Sequence, residues 1–502
     1  MIEHLIPSLL LIFKWPTFGL MMAGIFVGFW VGILPGIGGA TTIALMLPFI
    51  YDMNPVGAFA FLLGMISVTA TAGDITSVLF AVPGEGTAAA TVLDGHPMAK
   101  RGEAGRALGA VLFSSLVGAI FGALILLLFL PIVRPLVLSF GSPELFMTTI
   151  MAISFIGALT GKSVLKGMMM GGLGLCLSMI GMESQSAQMR YTFGSLYLWD
   201  GLSIVPVIVG LFGIPEIIEL SITRSSIAEV STGKLVGVIE GIKDTFRYLA
   251  LTLRCSAIGA FFGILPGIGS GVGQWVVYAH AKQSAQKKGR DKDYEFGNGA
   301  VEGVLGPGAA NNSSMGAALI PTIAFGIPGG TAMAVLLGAF QITGLVPGPD
   351  MLTRHLGVTL SMFWVIVVSN IITVTISLLF VNQLARITLV KGTLLIPFII
   401  LLIFIGGFTA HNSMGYLVVV ITAGLLGATM NWLDWPKPPL VLGLVLGNWA
   451  ENYLYISTNR YGASWLSKPI VMVMLIITVA SIVHPLLPKK SRKPAGEAGG
   501  GR

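Results

Sequence analysis

Asp74 stands in an apolar stretch, after Val68-Thr69-Ala70-Thr71-Ala72-Gly73 and before Ile75. A carboxylate in such surroundings is costly to keep and functional by default. It could bind a cation or exchange a proton; the plainer alternative is a paired or capping residue. The run Ala309-Ala310-Asn311-Asn312-Ser313-Ser314 is polar in an equally apolar context. Oxygens of Asn311, Asn312 and Ser313 suit Na⁺, and the amide nitrogens suit a carboxylate. The plainer alternative here is interhelical hydrogen bonding, worth ~0.6 kcal/mol per contact on average. Glu302 is a further intramembrane carboxylate.

A carboxylate ligand needs donors and positive potential without a permanently trapped charge. Backbone N–H groups at helix starts supply both. Four breaks offer such starts: Pro35 with Gly36, Gly38 and Gly39; Pro83 with Gly84 and Gly86; Pro266 with Gly267 and Gly269; Pro328 with Gly329 and Gly330. The hydroxyls of Thr41, Thr42, Thr87, Ser270 and Thr331 lie at or just after them. Such hydroxyls also often satisfy only their own helix carbonyls. Glu85 sits at a break too, where a helix start could hold it. Its charge would oppose an anionic substrate, so it is left out of the expected site.

These breaks must be positioned by what surrounds them. Gly32-Ile33-Leu34-Pro35-Gly36-Ile37-Gly38 recurs as Gly263-Ile264-Leu265-Pro266-Gly267-Ile268-Gly269. Each copy interrupts an apolar run that would otherwise read as one membrane helix. Proline removes a donor and clashes with the preceding turn. Broken backbone is tolerated in a bilayer only where protein or a polar cavity satisfies it. Paired breaks in two halves of a chain point to a transporter's binding site. The sequence predicts an all-α polytopic membrane protein of about 11–12 spans. It has two inverted repeats, each with two broken, re-entrant hairpins. The first repeat covers 1–222, a polar cytoplasmic linker 223–247, the second repeat with an extra C-terminal helix 248–488, and a basic disordered tail 489–502. Spans are expected at 55–72 and 298–316, with separate broken units at 75–93 and 319–340. Placing basic loops such as 282–292 inside puts the tail inside as well. It also inverts the loop after the first break, 51–54, relative to its counterpart.

Composition narrows the class. The 502 residues are 54% hydrophobic and 10% charged, against about 25% charged in soluble domains. The net charge of +7 reports loop topology rather than nucleic-acid binding, and the lipid bilayer is the expected surrounding. Glu3 and His4, with no small-residue cleavage site after them, predict that the first apolar segment is retained. Cys176 and Cys255 suggest no disulfide framework. The histidines show no ligand spacing, so no metal is expected beyond a possible Na⁺. Gly157-Ala158-Leu159-Thr160-Gly161-Lys162-Ser163 is one residue short of a phosphate-binding loop, which argues against ATP. No nucleophile–base pair suggests an enzyme, and no cofactor is implied. A gated anion channel built from re-entrant hairpins is the rival to a secondary transporter.

The residues quoted so far also resemble a known family. Gly32 to Gly39, then Val82-Pro83-Gly84-Glu85 with Asp94-Gly95-His96-Pro97-Met98-Ala99-Lys100, are similar to the large membrane subunit of the tripartite tricarboxylate transporters (TctA-type). So are Glu295-Phe296-Gly297, Glu302-Gly303-Val304, Ala309 to Asn312, and Ile320-Pro321-Thr322 with Gly326-Ile327-Pro328-Gly329. The resemblance implies a bacterial inner-membrane permease importing a di- or tricarboxylate, citrate-like, by Na⁺ or H⁺ symport with alternating access. Its implied partners are a small TctB-like membrane subunit and a periplasmic TctC-like solute-binding protein, without an ATPase. Two departures stand out. Gly308 occupies a position that is usually acidic, and Ala72-Gly73-Asp74 replaces a Gly-Gly-Ser/Thr run. The second places a carboxylate where relatives carry a hydroxyl.

Overall fold

The structure is a computed structural model. It describes residues 2–33, 38–159, 163–183, 185–222, 236–266, 269–287, 295–381, 383, 396–409 and 413–483. Pro35, Gly36, Gly267, Lys162, residues 223–235 and the tail 489–502 lie outside the described residues. Gly269 and Ser270 are described through their backbone alone.

The described chain is almost entirely helical. The first half contains α1 (Leu5–Phe13), α2 (Thr17–Ile33), α3 (Gly39–Met46), α4 (Pro55–Phe80), α5 (Ala89–Lys100), α6 (Ala104–Leu138), α7 (Ser142–Leu159), α8 (Val164–Ser178) and α9 (Ile204–Ile222). The second contains α10 (Val238–Arg247), α11 (Leu249–Ile264), α12 (Gly269–Lys287), α13 (Glu302–Phe325), α14 (Thr331–Ile342), α15 (Leu356–Leu379), α16 (Ile396–Thr409), α17 (Gly415–Trp432), α18 (Lys437–Tyr461) and α19 (Pro469–Val483). The sheet among the described residues is one antiparallel pair, Gly181–Met182 with Met189–Arg190. Helices α4, α6, α9, α15 and α17 are each long and apolar enough to cross a membrane. Helices α1 and α2, bent by 72°, make a sixth span if taken together. The chain is therefore an all-α polytopic membrane protein.

Glycine contacts show how the first hairpin turns. Gly24, Gly28 and Gly32 of α2 meet the backbone of Phe61, Met65 and Thr69 of α4. Both positions advance in step, so α2 and α4 run in the same direction from one face. Helix α3 and Tyr51 to Asn54 lead directly into α4, so the chain has returned to that face. The first unit is a re-entrant hairpin. The second half repeats the arrangement: Gly259 and Gly263 of α11 meet the backbone of Ala310 and Ser314 of α13. Small residues permit this approach, and dispersion between the backbones is what holds membrane helices together. At all five glycines an added Cβ would lie closer to neighbouring backbone than real Cβ atoms do. Gly28→Val and Gly263→Val are therefore each expected to destabilise by about 1–3 kcal/mol or more. Monodispersity and melting temperature in detergent measure this. Gly172→Val, where an added Cβ meets nothing within 4 Å, is the control and should leave both unchanged.

The repeats are inverted. Asn311 and Asn312 of α13 donate to Ala70 O (3.4 Å) and Thr71 Oγ1 (2.7 Å) of α4. Asp94, midway along α5, binds the backbone of Gly297, Gly299 and Ala300, just before α13 begins. The far end of α4 and α5 thus meets the near end of α13, and the two central helices are antiparallel.

Three sequence expectations change. Residues 55–72 and 75–80 fall on one helix of 26 residues, Pro55–Phe80, and 298–316 and 319–327 fall largely on one helix of 24 residues. The second broken unit of each repeat therefore has no separate first arm. Gly73 resembles a break in sequence, yet it continues the helix and serves to admit Gly84, whose Cα packs against it. The chain then comes back from the end of α4, since Gly84 N–H donates to Gly73 O at 3.4 Å. Helix α5 runs out again beside α4, with Gly95 against Val78. Third, residues 238–247 form helix α10 within the stretch expected as linker. It docks on α6 through Gly241 and an ion pair of Arg106 Nε with Asp244 Oδ2 at 2.6 Å.

Candidate functional site

The four half-helix starts gather around the two central helices. Helix α3 packs along α14, and α12 contacts α5 and the turn Gly86–Ala88 that opens it. Within each repeat the two breaks touch. A Cβ on Gly84 would sit 2.8 Å from Gly32 O, and one on Gly329 would sit 2.5 Å from Gly263 O. Glycine is needed at both places because backbone from the companion break fills the space. Helix starts carry unpaired N–H groups and a positive dipole end, so this arrangement concentrates positive potential without a lysine or arginine.

Asp74 is fully buried on α4. Its Oδ1 accepts from Thr91 Oγ1 at 3.0 Å, while its Oδ2 has no hydrogen-bond partner. The side chains of Asn311 and Ser115 lie beside the carboxyl group. Asn312 joins α13 to α4 and α15: its Nδ2 donates to Thr71 Oγ1 (2.7 Å) and to Asn370 Oδ1 (2.9 Å), and its Oδ1 is unpartnered. Ser313 Oγ donates to Ser256 O at 2.8 Å, and Thr42 Oγ1 donates to Gly38 O at 3.0 Å. Both hydroxyls thus serve helix carbonyls.

Glu85 reaches the start of α3. Its Oε1 accepts from Gly39 N–H at 2.6 Å, and its Oε2 accepts from Thr87 Oγ1 at 3.4 Å. Two of the expected substrate donors, Gly39 and Thr87, are thereby engaged by the chain's own carboxylate. Gly38, Gly330 and Thr331 are half-buried and Gly86 is exposed, whereas Thr41 and Gly84 are buried. Glu302 is the first residue of α13. It is buried and lines a small cavity with Arg247, Arg254 and Ser284.

Several residues of this centre escape a reading by segments. Thr91, Thr71 and Asn370 belong to the polar network. Glu216 of α9 is buried, with one carboxylate oxygen unpartnered and Thr41 of α3 nearby. The signal that could have found Glu216 and Asn370 is the one that found Asp74, an isolated polar side chain within an apolar helix.

On the face of residues 51–54 lies a cavity of about 420 Å³, lined by Tyr51, Arg190, Asp200, Ser203, Gln341 and Glu451. Arg190 makes a bidentate pair with Glu451, at 2.6 and 2.9 Å. This partner holds the guanidinium above its already high ordinary value. The cavity sits where α3 and α14 end, so both repeats reach its walls.

The model of the tripartite tricarboxylate transporter TctA family matches residues 18–442. The chain belongs to this family. TctA proteins are membrane-transport subunits of tripartite systems, and the fold described above is that of a polytopic helical membrane protein. One relative is an uncharacterized 52.8 kDa protein in the TAR-I ttuC' 3' region of Agrobacterium vitis. It is 32% identical over 472 residues, covering 93% of this chain and 92% of the relative. Another, an uncharacterized protein in the TAR-II ttuC' 3' region of the same organism, is 30% identical over 237 residues. That match covers 46% of this chain and 94% of the relative. No solved structure matches.

Proposed function

We propose that this TctA-family chain is the permease of a binding-protein-dependent secondary active transporter. It imports a di- or tricarboxylate across the bacterial inner membrane by symport with Na⁺ or H⁺. The observation that carries this reading is the start of α5, with the α3 start joined to it through Glu85, lying beside a buried, half-satisfied carboxylate, Asp74. The helix starts suit an anion, and Asp74 suits its coupling cation. Substrate contacts fall to Gly84, Gly86, Gly269, Ser270, Asn311, Gly329, Gly330 and Thr331. Asp74 with Asn311 and the free Asn312 Oδ1 forms the cation side. Residues 1–222 and 248–488 act as the two repeats that move against each other. The side bearing residues 51–54 and the 420 Å³ cavity faces the periplasm and receives substrate from a TctC-like binding protein. A TctB-like subunit completes the complex, and the C-terminus is cytoplasmic.

The test is uptake of labelled carboxylates into proteoliposomes holding both membrane subunits, with and without the binding protein, under imposed Na⁺ or pH gradients. Accumulation above equilibrium that needs a gradient and the binding protein is expected. Equilibration indifferent to either gradient would replace symport by a gated anion pore.

A further inference from the structure

Glu216 is a second interior carboxylate with an oxygen left unsatisfied. It lies on α9, one turn beyond Gly213, which comes against Leu45 of α3. The Thr41 hydroxyl, one turn earlier on α3, lies beside its carboxyl group. The side chain is 8% exposed, and its Oε1 has no hydrogen-bond partner. Glu85, at the same half-helix start, is the contrast. Both of its oxygens are engaged, one by Gly39 N–H and one by Thr87, so Glu85 is built into the turn and Glu216 is not.

The surroundings select what Glu216 can bind. Among the elements packed on α9, α3, Leu47–Ile50, α14, α16 and α17 bring no charged side chain. Tyr416 of α17 lies before the Val420–Gly210 contact, and Glu216 lies beyond it. The charged groups facing Glu216 among the described residues are Glu219, one turn on along α9, and Lys437, the first residue of α18. The Lys437 ammonium sits 5.5 Å from the centroid of the Phe212 ring. Phe212 is four residues before Glu216 and so shares its face of α9. A metal cation needs several oxygens, and here one free carboxylate oxygen and one hydroxyl stand near an ammonium that repels it. A proton needs a single lone pair. A buried charge is costly unless paired; the acid form requires no partner, and the anion has Lys437 beside it.

We infer that Glu216 is a proton-carrying site of the transport cycle, separate from the cation side at Asp74. The inference rests on the carboxylate-transport reading above and adds a proton to what moves with the substrate. On release the carboxylic O–H bond breaks and the proton passes to water. The negative charge left on Glu216 then meets the Lys437 ammonium, which leaves the face of Phe212; reprotonation reverses both changes. Thr41 is the third residue of α3, so the change of charge occurs at the start of a half-helix whose positive end favours the anion. Proton binding and the position of α3 are thereby linked.

The test uses proteoliposomes of the assembled transporter with a trapped pH dye and clamped voltage. The probe is the labelled carboxylate that wild type accumulates, at a pH where it is fully ionised. Wild type is expected to carry protons in with this substrate. Glu216→Gln, of the same size and never charged, should lose the proton movement that accompanies each substrate carried. Lys437→Gln should move the pH of half-maximal transport up by about one unit, because the anion has lost its counter-charge. A Glu216→Gln protein that moves protons as wild type does would overturn the inference, as would a Lys437→Gln profile that does not shift. If Glu216→Gln does not fold or does not carry substrate, the Lys437→Gln profile decides alone. Wild type that takes up carboxylate without protons would also overturn the inference and leave the transport reading standing. Wild type that takes up no carboxylate under any gradient would instead remove that reading, and the inference with it.

Discussion

Replacing Asp94 by alanine is expected to destabilise the protein by about 4 kcal/mol or more. The carboxylate Oδ1 accepts three backbone N–H groups, from Gly297 (2.8 Å), Gly299 (2.8 Å) and Ala300 (2.9 Å), and Oδ2 accepts from Tyr278 at 2.8 Å. Alanine leaves these donors facing no acceptor, at about 1–3 kcal/mol for each that stays buried, and such terms do not add in full. Asp94→Asn keeps one acceptor oxygen and should fall between wild type and Asp94→Ala. Tyr278→Phe removes one donor and leaves no orphan backbone group, so it should be the mildest of the three. Melting temperature and yield in detergent rank the series. An Asp94→Ala protein as stable as wild type would show that the clamp contributes little.

The second large effect concerns coupling. Asp74→Asn removes the charge and keeps the shape, and the Thr91 hydroxyl retains an acceptor. Concentrative uptake is expected to fall on the order of 100-fold, equivalent to about 2.7 kcal/mol, while carboxylate binding changes by less than about 3-fold. Counterflow, which needs no net ion movement, separates the two steps. If Asp74→Asn still accumulates substrate as wild type does, Asp74 is a structural partner of Thr91 and the coupling ion binds elsewhere. Thr91→Val is the companion variant. It frees Oδ1 without removing the carboxylate, and it should alter ion dependence more than maximal rate.

The duplication was legible because its breaks are made of the residues that most constrain backbone. Pro83 and Pro328, with glycines after them, advertise a stop and a restart whatever the tertiary context. The capping of a helix start by Glu85 was legible for the same reason, since an acid beside such a break has a nearby dipole to answer. The division expected between 72 and 75 does not occur, and the glycine that stands there, Gly73, admits another chain rather than bending its own. Here Gly84 comes against it, and α4 continues without interruption. The clamp at Asp94 could not be read at all. Its partners are more than 180 residues away, and nothing local marks an acceptor whose donors sit in the other repeat. Asn370 stands out as a lone polar side chain in an apolar helix, but its role is created by Asn312 and Thr71 from two other helices.

The Asp94 clamp also sets a schedule for biosynthesis. Gly297 follows Asp94 by 203 positions, so at 5–20 residues per second the ribosome needs about 10–40 s to deliver the donors. During that interval α5 is made while its carboxylate has none of these partners. The first repeat must therefore wait in the membrane as an unfinished half, and its closure is timed by the arrival of the second.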